Sequence, residues 1–358
     1  MLSLPSAPEP GRSDQSRARV LIVDDSVVAR AAIGRMIEAT PRFTVAGSVS
    51  DARSALAFLR EERVDIVLLD IAMPGTDGLT ALPELLRVAR GAKVLIVSST
   101  ASEGAAATIQ ALALGAADTM VKPGVGSLAG KFADLLEERM SRLMEVPVSV
   151  PVANIAPPPG EALPSIPDFD IVAIGASTGG IHALSALLRA LPTQFDVPIV
   201  ITQHLPASFM PYFAAQLAIL AGRPCDVATD LMRLRSSSIV VAPGDAHVRI
   251  SRLSNGGVIR LSAERSHSGC MPSVDPMFAS VAEAYGARAL CVVLSGMGRD
   301  GSIGARAVLS AGGSVVVQDR GSSVVWGMPG SVADTGQATA ILPPDAIGRL
   351  IAQRRARR

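Results

Sequence analysis

Along most of this chain, short uninterrupted apolar runs alternate with amphipathic stretches. "ARVLIVDD" at residues 18–25 is followed by helical spacing over 27–39, then "FTVAGSV", a helix to Arg60, "VDIVLLD", a helix near 79–89, "AKVLIVSS", another helix and "ADTMVKP". A run of four to six apolar residues without polar alternation reads as a strand covered on both faces, and a helix between two such runs supplies the crossover that parallel strands need. Repeated five times, the pattern predicts a doubly wound parallel α/β sheet of the flavodoxin-like kind, closed by a helix over 128–144.

The alternation then stops. "EVPVSVPVANIAPPPGEALPSIPD" is rich in proline and reads as a semi-rigid extended linker. It restarts with "FDIVAIGAS", a helix to Leu191, "VPIVITQH", a helix from Pro206, "SIVVAPG", "HVRISR", "GGVIRLS", a helix over 274–285, "ALCVVLSGMGRDG", a helix near Gly304, "GSVVVQD", "GMPGSV" and "ATAIL". The expected organisation is a disordered leader at 1–17, an α/β domain at 18–144, the linker at 145–167, a second, Rossmann-like α/β domain at 168–354 and a basic tail at 355–358. Aromatic residues make up only 3% of the chain, so both cores must be built from aliphatic side chains, as helix-covered parallel sheets are.

A net charge of +1 carries no polyelectrolyte signature, and the only basic cluster, "QRRARR", sits at the C-terminal end, so no nucleic-acid partner is expected. The three cysteines, Cys225, Cys270 and Cys291, lack metal-ligand spacing and point to a reducing compartment. The leader has no continuous apolar segment and nothing later is apolar for the length of a membrane span, so the expected protein is soluble, cytoplasmic and not inserted in a membrane.

Asp24 and Asp25 follow one strand and Asp70 ends another. Three acids gathered at strand carboxyl ends repel one another unless a cation lies between them, and Mg2+, which takes oxygen ligands and keeps several waters, fits that role. With the charge offset, one carboxylate can attack a phosphoryl group; Ser98 could hydrogen-bond the phosphoryl oxygens and Lys122 could pair with them. The Lys122–Pro123 bond is also a candidate cis peptide. Any one of these acids alone would serve equally well as a helix N-cap; the joint pattern is what caps do not explain.

In the second domain, "GASTG" satisfies the G-x-S-x-G elbow, in which a serine stands on a tight strand-to-helix turn. The hydroxyl of Ser177 needs a base, and the chain offers four histidines. His182 rides the helix that starts at the elbow, His247 opens a strand and His267 sits in a polar loop. His204 ends a strand, where active-site groups of an α/β sheet gather, and is the best base. Asp300, again beyond a strand, could orient it and stabilise the imidazolium. Singly, each remains readable as an N-cap, a strand end or a turn residue.

The set Asp24, Asp25, Asp70, Ser98 and Lys122-Pro123 resembles the receiver domain of two-component response regulators. The resemblance implies that Asp70 accepts the phosphoryl group, Asp24, Asp25 and Asp70 hold magnesium, and Ser98 and Lys122 form the switch. Three residues before Lys122, where receivers commonly carry an aromatic, stands Thr119. Behind it, "IGASTGG", "ITQH", "VAPGDAH", "PSVDPMF", "LSGMGRDG" and "SSVVWGMPG" are similar to the chemotaxis response regulator protein-glutamate methylesterases. That resemblance implies Ser177, His204 and Asp300 as catalytic residues, with Thr178 and Met297 near the oxyanion and substrate. It further implies receptor glutamate methyl esters as substrates, glutamine deamidation as a second activity, no cofactor for the ester chemistry, methyl-accepting chemoreceptors as partners and a chemotaxis histidine kinase as phosphodonor. The position after "GG" is Ile181 rather than the family's frequent Pro or Thr, and Arg320 stands after "QD" where an acid is frequent.

Two other readings of the same residues fit less well. A phosphate-cradling binding module fails on glycine spacing, which matches neither G-x-G-x-x-G nor a P-loop. A DNA-binding regulator would carry a short basic helical output domain rather than a large apolar α/β unit.

Overall fold

The computed structural model describes residues 17–73, 78–98, 102–122, 129–144, 163–254 and 256–353. The expected leader and tail, apart from Arg17, most of the linker, and the Lys122–Pro123 bond lie outside the described residues.

The N-terminal unit carries β1 (Ala18–Val23), α1 (Val27–Glu38), β2 (Phe43–Val49), α2 (Ala52–Glu61), β3 (Ile66–Leu69), α3 (Gly78–Val88), β4 (Lys93–Ser98), α4 (Ser102–Leu114), β5 (Asp118–Val121) and α5 (Ala129–Met144). Its strands are all parallel, in the order β2-β1-β3-β4-β5. Chain order reverses between β1 and β3, so a crevice opens beyond their carboxyl ends, next to Asp24 and Asp70. Local signals set the helix starts: Ser26 Oγ caps α1 by accepting from Ala29 N, and Asp51 caps α2 by accepting from Ser54 N.

The C-terminal unit runs β6 (Ile171–Ala176), α6 (Gly180–Arg189), β7 (Ile199–Gln203), α7 (Met210–Ala221), β8 (Cys225–Val227), β9 (Ile239–Val241), β10 (His247–Leu253), β11 (Gly256–Ser262), α8 (Val274–Tyr285), β12 (Ala289–Val293), α9 (Ser302–Ser310), β13 (Ser314–Gln318), α10 (Gly327–Ala333), β14 (Ala340–Leu342) and α11 (Pro344–Ala352). Seven of these strands form a parallel sheet, β14-β13-β12-β6-β7-β9-β8. Strand β6 is flanked by β7 on one side and β12 on the other, and this reversal of chain order again places a crevice at the carboxyl ends.

"HVRISR" and "GGVIRLS" do not join that sheet. They pair antiparallel as β10 and β11, from His247 opposite Ser262 to Leu253 opposite Gly256. Val248 and Ile250 point into the core against α8 while Arg249 and Ser251 point outward, the one-sided burial typical of an antiparallel pair.

The two units share apolar contact. Helix α4 packs against α6 and α7, and Ile109, Leu112 and Ala113 join the cluster that holds Ile181, Leu184, Leu205 and Phe209. On the other flank, Phe132 and Leu136 of α5 belong to a cluster with Val325, which Met297 and Val324 adjoin.

Candidate active site

In the N-terminal crevice, Asp24 and Asp70 are buried and Asp25 is exposed. Lys122 Nζ lies 2.8 Å from Asp24 Oδ2 and 2.6 Å from Asp70 Oδ2. Burial works against the Lys122 charge, but the two carboxylates outweigh it and raise its pKa. Ser26 N donates to Asp24 Oδ1 and Ala72 N to Asp70 Oδ1, which fixes both carboxylates. One oxygen from each of Asp24, Asp25 and Asp70 can lie within 4.8 Å of the others, and Asp24 Oδ2, buried, meets Lys122 as an ion pair without accepting a hydrogen bond. An all-carboxylate set with an unsaturated buried oxygen fits a small hard cation.

Ser98 Oγ lies 3.1 Å from Thr108 Oγ1 on α4, which donates to Gly104 O at 2.7 Å. Sequence reasoning missed Thr108, since a threonine within an alanine-rich helix carries no motif. The Oγ1 of Thr119 is buried without a partner.

At the second crevice, Ser177 follows β6, His204 follows β7 and Asp300 lies beyond β12, so three adjacent central strands deliver the three residues. The turn after Ser177 demands glycine: Gly179 has φ +76°, and a Cβ there would lie 2.5 Å from Val324 Cβ. Gly296 is equally constrained, because a Cβ would lie 2.9 Å from Ser177 Cβ and 2.3 Å from the Met328 sulfur. Gln203 Nε2 donates to Ser177 O at 2.9 Å and pins the elbow.

The contact between His204 Nε2 and Asp300 Oδ2 is 2.8 Å. Burial disfavours charge on His204, yet the hydrogen bond to Asp300 and the facing Cys270 outweigh it and push its pKa up to about 9. Asp300 is buried, which alone would raise its pKa, but the imidazole and further donors hold it to about 2. Those donors are Ser273 Oγ (2.7 Å), Val274 N (2.7 Å) and Asp275 N (3.3 Å) at the start of α8, and Gly301 N (3.1 Å). A helix N-terminus favours the anion. His247 serves this support rather than chemistry: its Nδ1 accepts from Ser273 N and its Nε2 lies 2.7 Å from Glu264 O.

Ser177, Thr178, His204, Cys270 and Met297 line one cleft of about 210 Å³. Ser177 Oγ makes no hydrogen bond to His204 here; Nδ1 is the ring nitrogen left over from the Asp300 contact. The N-terminal unit supplies part of the wall through Leu112, Ala117, Asp118 and Arg139. Thr178 Oγ1 donates to Asp118 Oδ2 at 3.0 Å, Gly179 N donates to Ala117 O at 2.9 Å, and Arg139 holds Asp118 from behind at 2.5 Å. His182 Nδ1 lies 3.3 Å from Ala113 O, and Arg142 Nη1 reaches the Met297 sulfur. The expected helix-surface position of His182 is thus turned toward α4.

Fold and geometry define a two-unit α/β protein in which a carboxylate–lysine crevice sits in one unit and a Ser, His and Asp constellation in the other, with the first unit roofing the second. Residues 20–128 match the response regulator receiver domain model and residues 172–351 the CheB methylesterase model. A protein-glutamate methylesterase/protein-glutamine glutaminase 1 of Paramagnetospirillum magneticum is 38% identical over 371 residues, 95% of this chain and 97% of that protein. One of the same designation from Rhodospirillum rubrum is 38% identical, covering 91% and 92%. The crystal structure of the Thermotoga maritima CheB methylesterase catalytic domain superimposes with a TM-score of 0.51 at 33% identity, over 52% of this chain and 98% of that one. This chain belongs to the CheB methylesterase family and carries a receiver domain ahead of its methylesterase domain.

Proposed function

We propose that this chain is a phosphorylation-activated protein-glutamate methylesterase that also deamidates glutamine, acting in the cytoplasm on chemoreceptors and phosphorylated by a chemotaxis histidine kinase. Ser177 Oγ attacks the ester carbonyl while His204 Nδ1 takes its proton, and Asp300 steadies the imidazolium through Nε2. Backbone amides at Thr178 and Met297 hold the oxyanion, an effect commonly worth about 3–4 kcal/mol. His204 returns the proton to the departing methoxide, methanol leaves, and water activated by the same base frees the glutamate and Ser177. A glutamine side chain follows the same course with ammonia leaving.

Asp24, Asp25 and Asp70 would hold a magnesium ion, whose charge assists transfer of the phosphoryl group to Asp70. Lys122 pairs with the new phosphoryl oxygens and Ser98 turns from Thr108 to donate to them, which releases α4, the helix packed on α6 and α7. In the docked form the receiver occupies Thr178 and Gly179, so the cleft opens only when that contact weakens.

The observation that supports this reading best is the His204–Asp300 pair sharing one cleft with Ser177 beneath the receiver. The test is methanol release from methylated receptor membranes by wild type and Ser177→Ala, each with and without a small phosphodonor and magnesium. Release by wild type alone, rising with phosphodonor, is expected. Equal release by both proteins, or none at all, would refute the esterase.

A further inference from the structure

Cys270 lies in the loop between β11 and α8, half-buried and free of any disulfide. Its sulfur, a ring nitrogen of His204 and a carboxylate oxygen of Asp300 all fall within 4.8 Å of one another. We infer that His204, Cys270 and Asp300 form a binding site for a thiophilic divalent cation of the zinc class, and that its occupancy arrests the esterase. The arrest rests on the methylesterase reading above; the binding does not.

The donor set decides the metal. One sulfur, one imidazole nitrogen and one carboxylate oxygen suit tetrahedral zinc, whereas the Asp24, Asp25 and Asp70 crevice offers oxygen alone and suits magnesium. Bonds of about 2.0–2.1 Å to nitrogen and oxygen at a tetrahedral angle separate those two atoms by about 3.3 Å. His204 Nε2 and Asp300 Oδ2 are 2.8 Å apart, so a shift of about half an ångström admits the ion. Asp300 Oδ1 meanwhile keeps Ser273 Oγ and Gly301 N, the outer hydrogen bonds that orient a metal-bound carboxylate. Cys270 and Asp300 also line a separate opening of about 480 Å³ whose walls, among the described residues, contain none from the receiver, which offers an entry path with the receiver docked.

The proton balance explains the arrest. Binding releases the thiol proton of Cys270 and one proton of the His204 imidazolium, or, where the ring is already neutral, moves its single proton from Nε2 to Nδ1. The neutral ring must then carry its remaining proton on Nδ1, the atom that would otherwise accept the proton of Ser177.

The test uses the full chain in excess magnesium, titrated with Co2+ as a spectroscopic probe and then with Zn2+. One equivalent of cobalt should produce a thiolate-to-cobalt charge-transfer band that zinc abolishes. Cys270→Ser and Cys270→Ala should lack the band, while Asp70→Asn retains it, since cobalt among carboxylates gives no such transition. In the methanol-release assay zinc should inhibit wild type and a chelator should restore it, while Cys270→Ser, measured against its own zinc-free rate, should show at least a tenfold loss of zinc sensitivity. No band in wild type, a band persisting in both Cys270 variants, or equal zinc inhibition of wild type and Cys270→Ser would overturn the site. A cobalt band in a protein that releases no methanol would overturn the methylesterase reading and leave the metal site standing.

Discussion

Replacing Asp118 by alanine should raise the unstimulated methylesterase rate about tenfold. The residue is 9% exposed and its carboxylate accepts three hydrogen bonds, from Arg139 and Thr119 N within the receiver and from Thr178 Oγ1 across the interface. Only the bond from Thr178 differs between docked and undocked forms, because Arg139 and Thr119 move with Asp118. A hydrogen bond to a charged acceptor contributes about 1.5–3 kcal/mol. Water takes the place of Thr178 once the domains part, so the lower end of that range, about 1.5 kcal/mol, is the appropriate loss of docking energy. Each 1.4 kcal/mol is about tenfold in an equilibrium constant, and while the open form remains a minority its population sets the rate. The assay is methanol release without phosphodonor, then with a saturating amount. Asp118→Ala should approach the stimulated rate from below and leave that ceiling unchanged. An unaltered basal rate would refute the latch, and a ceiling that rises in parallel would show that Asp118 acts on chemistry rather than on docking.

Thr108→Val removes the hydroxyl that lies 3.1 Å from Ser98 Oγ and that, in the proposed switch, Ser98 leaves to reach the phosphoryl group. With that bond worth about 1 kcal/mol, basal activity should rise about fivefold, read in the same assay. Activity should climb with pH through neutrality towards about 9, because the base must be neutral and its pKa is raised to about 9, while Asp300 stays ionised throughout. A pH–rate profile already flat above pH 7 would contradict this. The same pair has a stability signature of opposite sense: a raised imidazole pKa stabilises the fold fully below the free value of about 6.5 and loses that contribution as pH rises through about 9, so Tm should fall across that window. Gly296→Ala places a methyl group against Ser177 and Met328 and should cost about 1–3 kcal/mol in denaturant unfolding, with loss of methanol release.

The parallel sheets were legible because their strands are continuous apolar runs, Val20–Val23 and Ile171–Ile174 among them, that nothing but double-sided burial explains. Ser177, His204 and Asp300 stood out as candidates because each follows such a run. Three elements were not. Strand β8, "CDV", is too short and too polar to show a period, and the hairpin of β10 and β11 passed for sheet strands because strand runs alone do not say which strands pair. Helix α11 starts on a proline that reads as a breaker but stands in the first turn, where its missing N–H costs nothing. Asp118, Thr108 and Cys270 escaped for another reason: their roles depend on partners 60, 10 and tens of residues away that only the fold brings close, across the two units for Asp118 and within one unit for the other two.

The Gly179 amide and the Thr178 hydroxyl each have one partner at a time, and in this arrangement both partners belong to the receiver. A methylated receptor segment entering the cleft must displace the same groups, so substrate and receiver are rivals for one surface. Linkage then runs both ways. Whatever factor separates the affinity of the phosphorylated and unphosphorylated enzyme for receptor must equally separate the stability of the phosphoryl group on receptor-bound and free enzyme. Receptors would therefore act as effectors as well as substrates, shifting the phosphorylation equilibrium of the bound enzyme towards its activated form by that same factor.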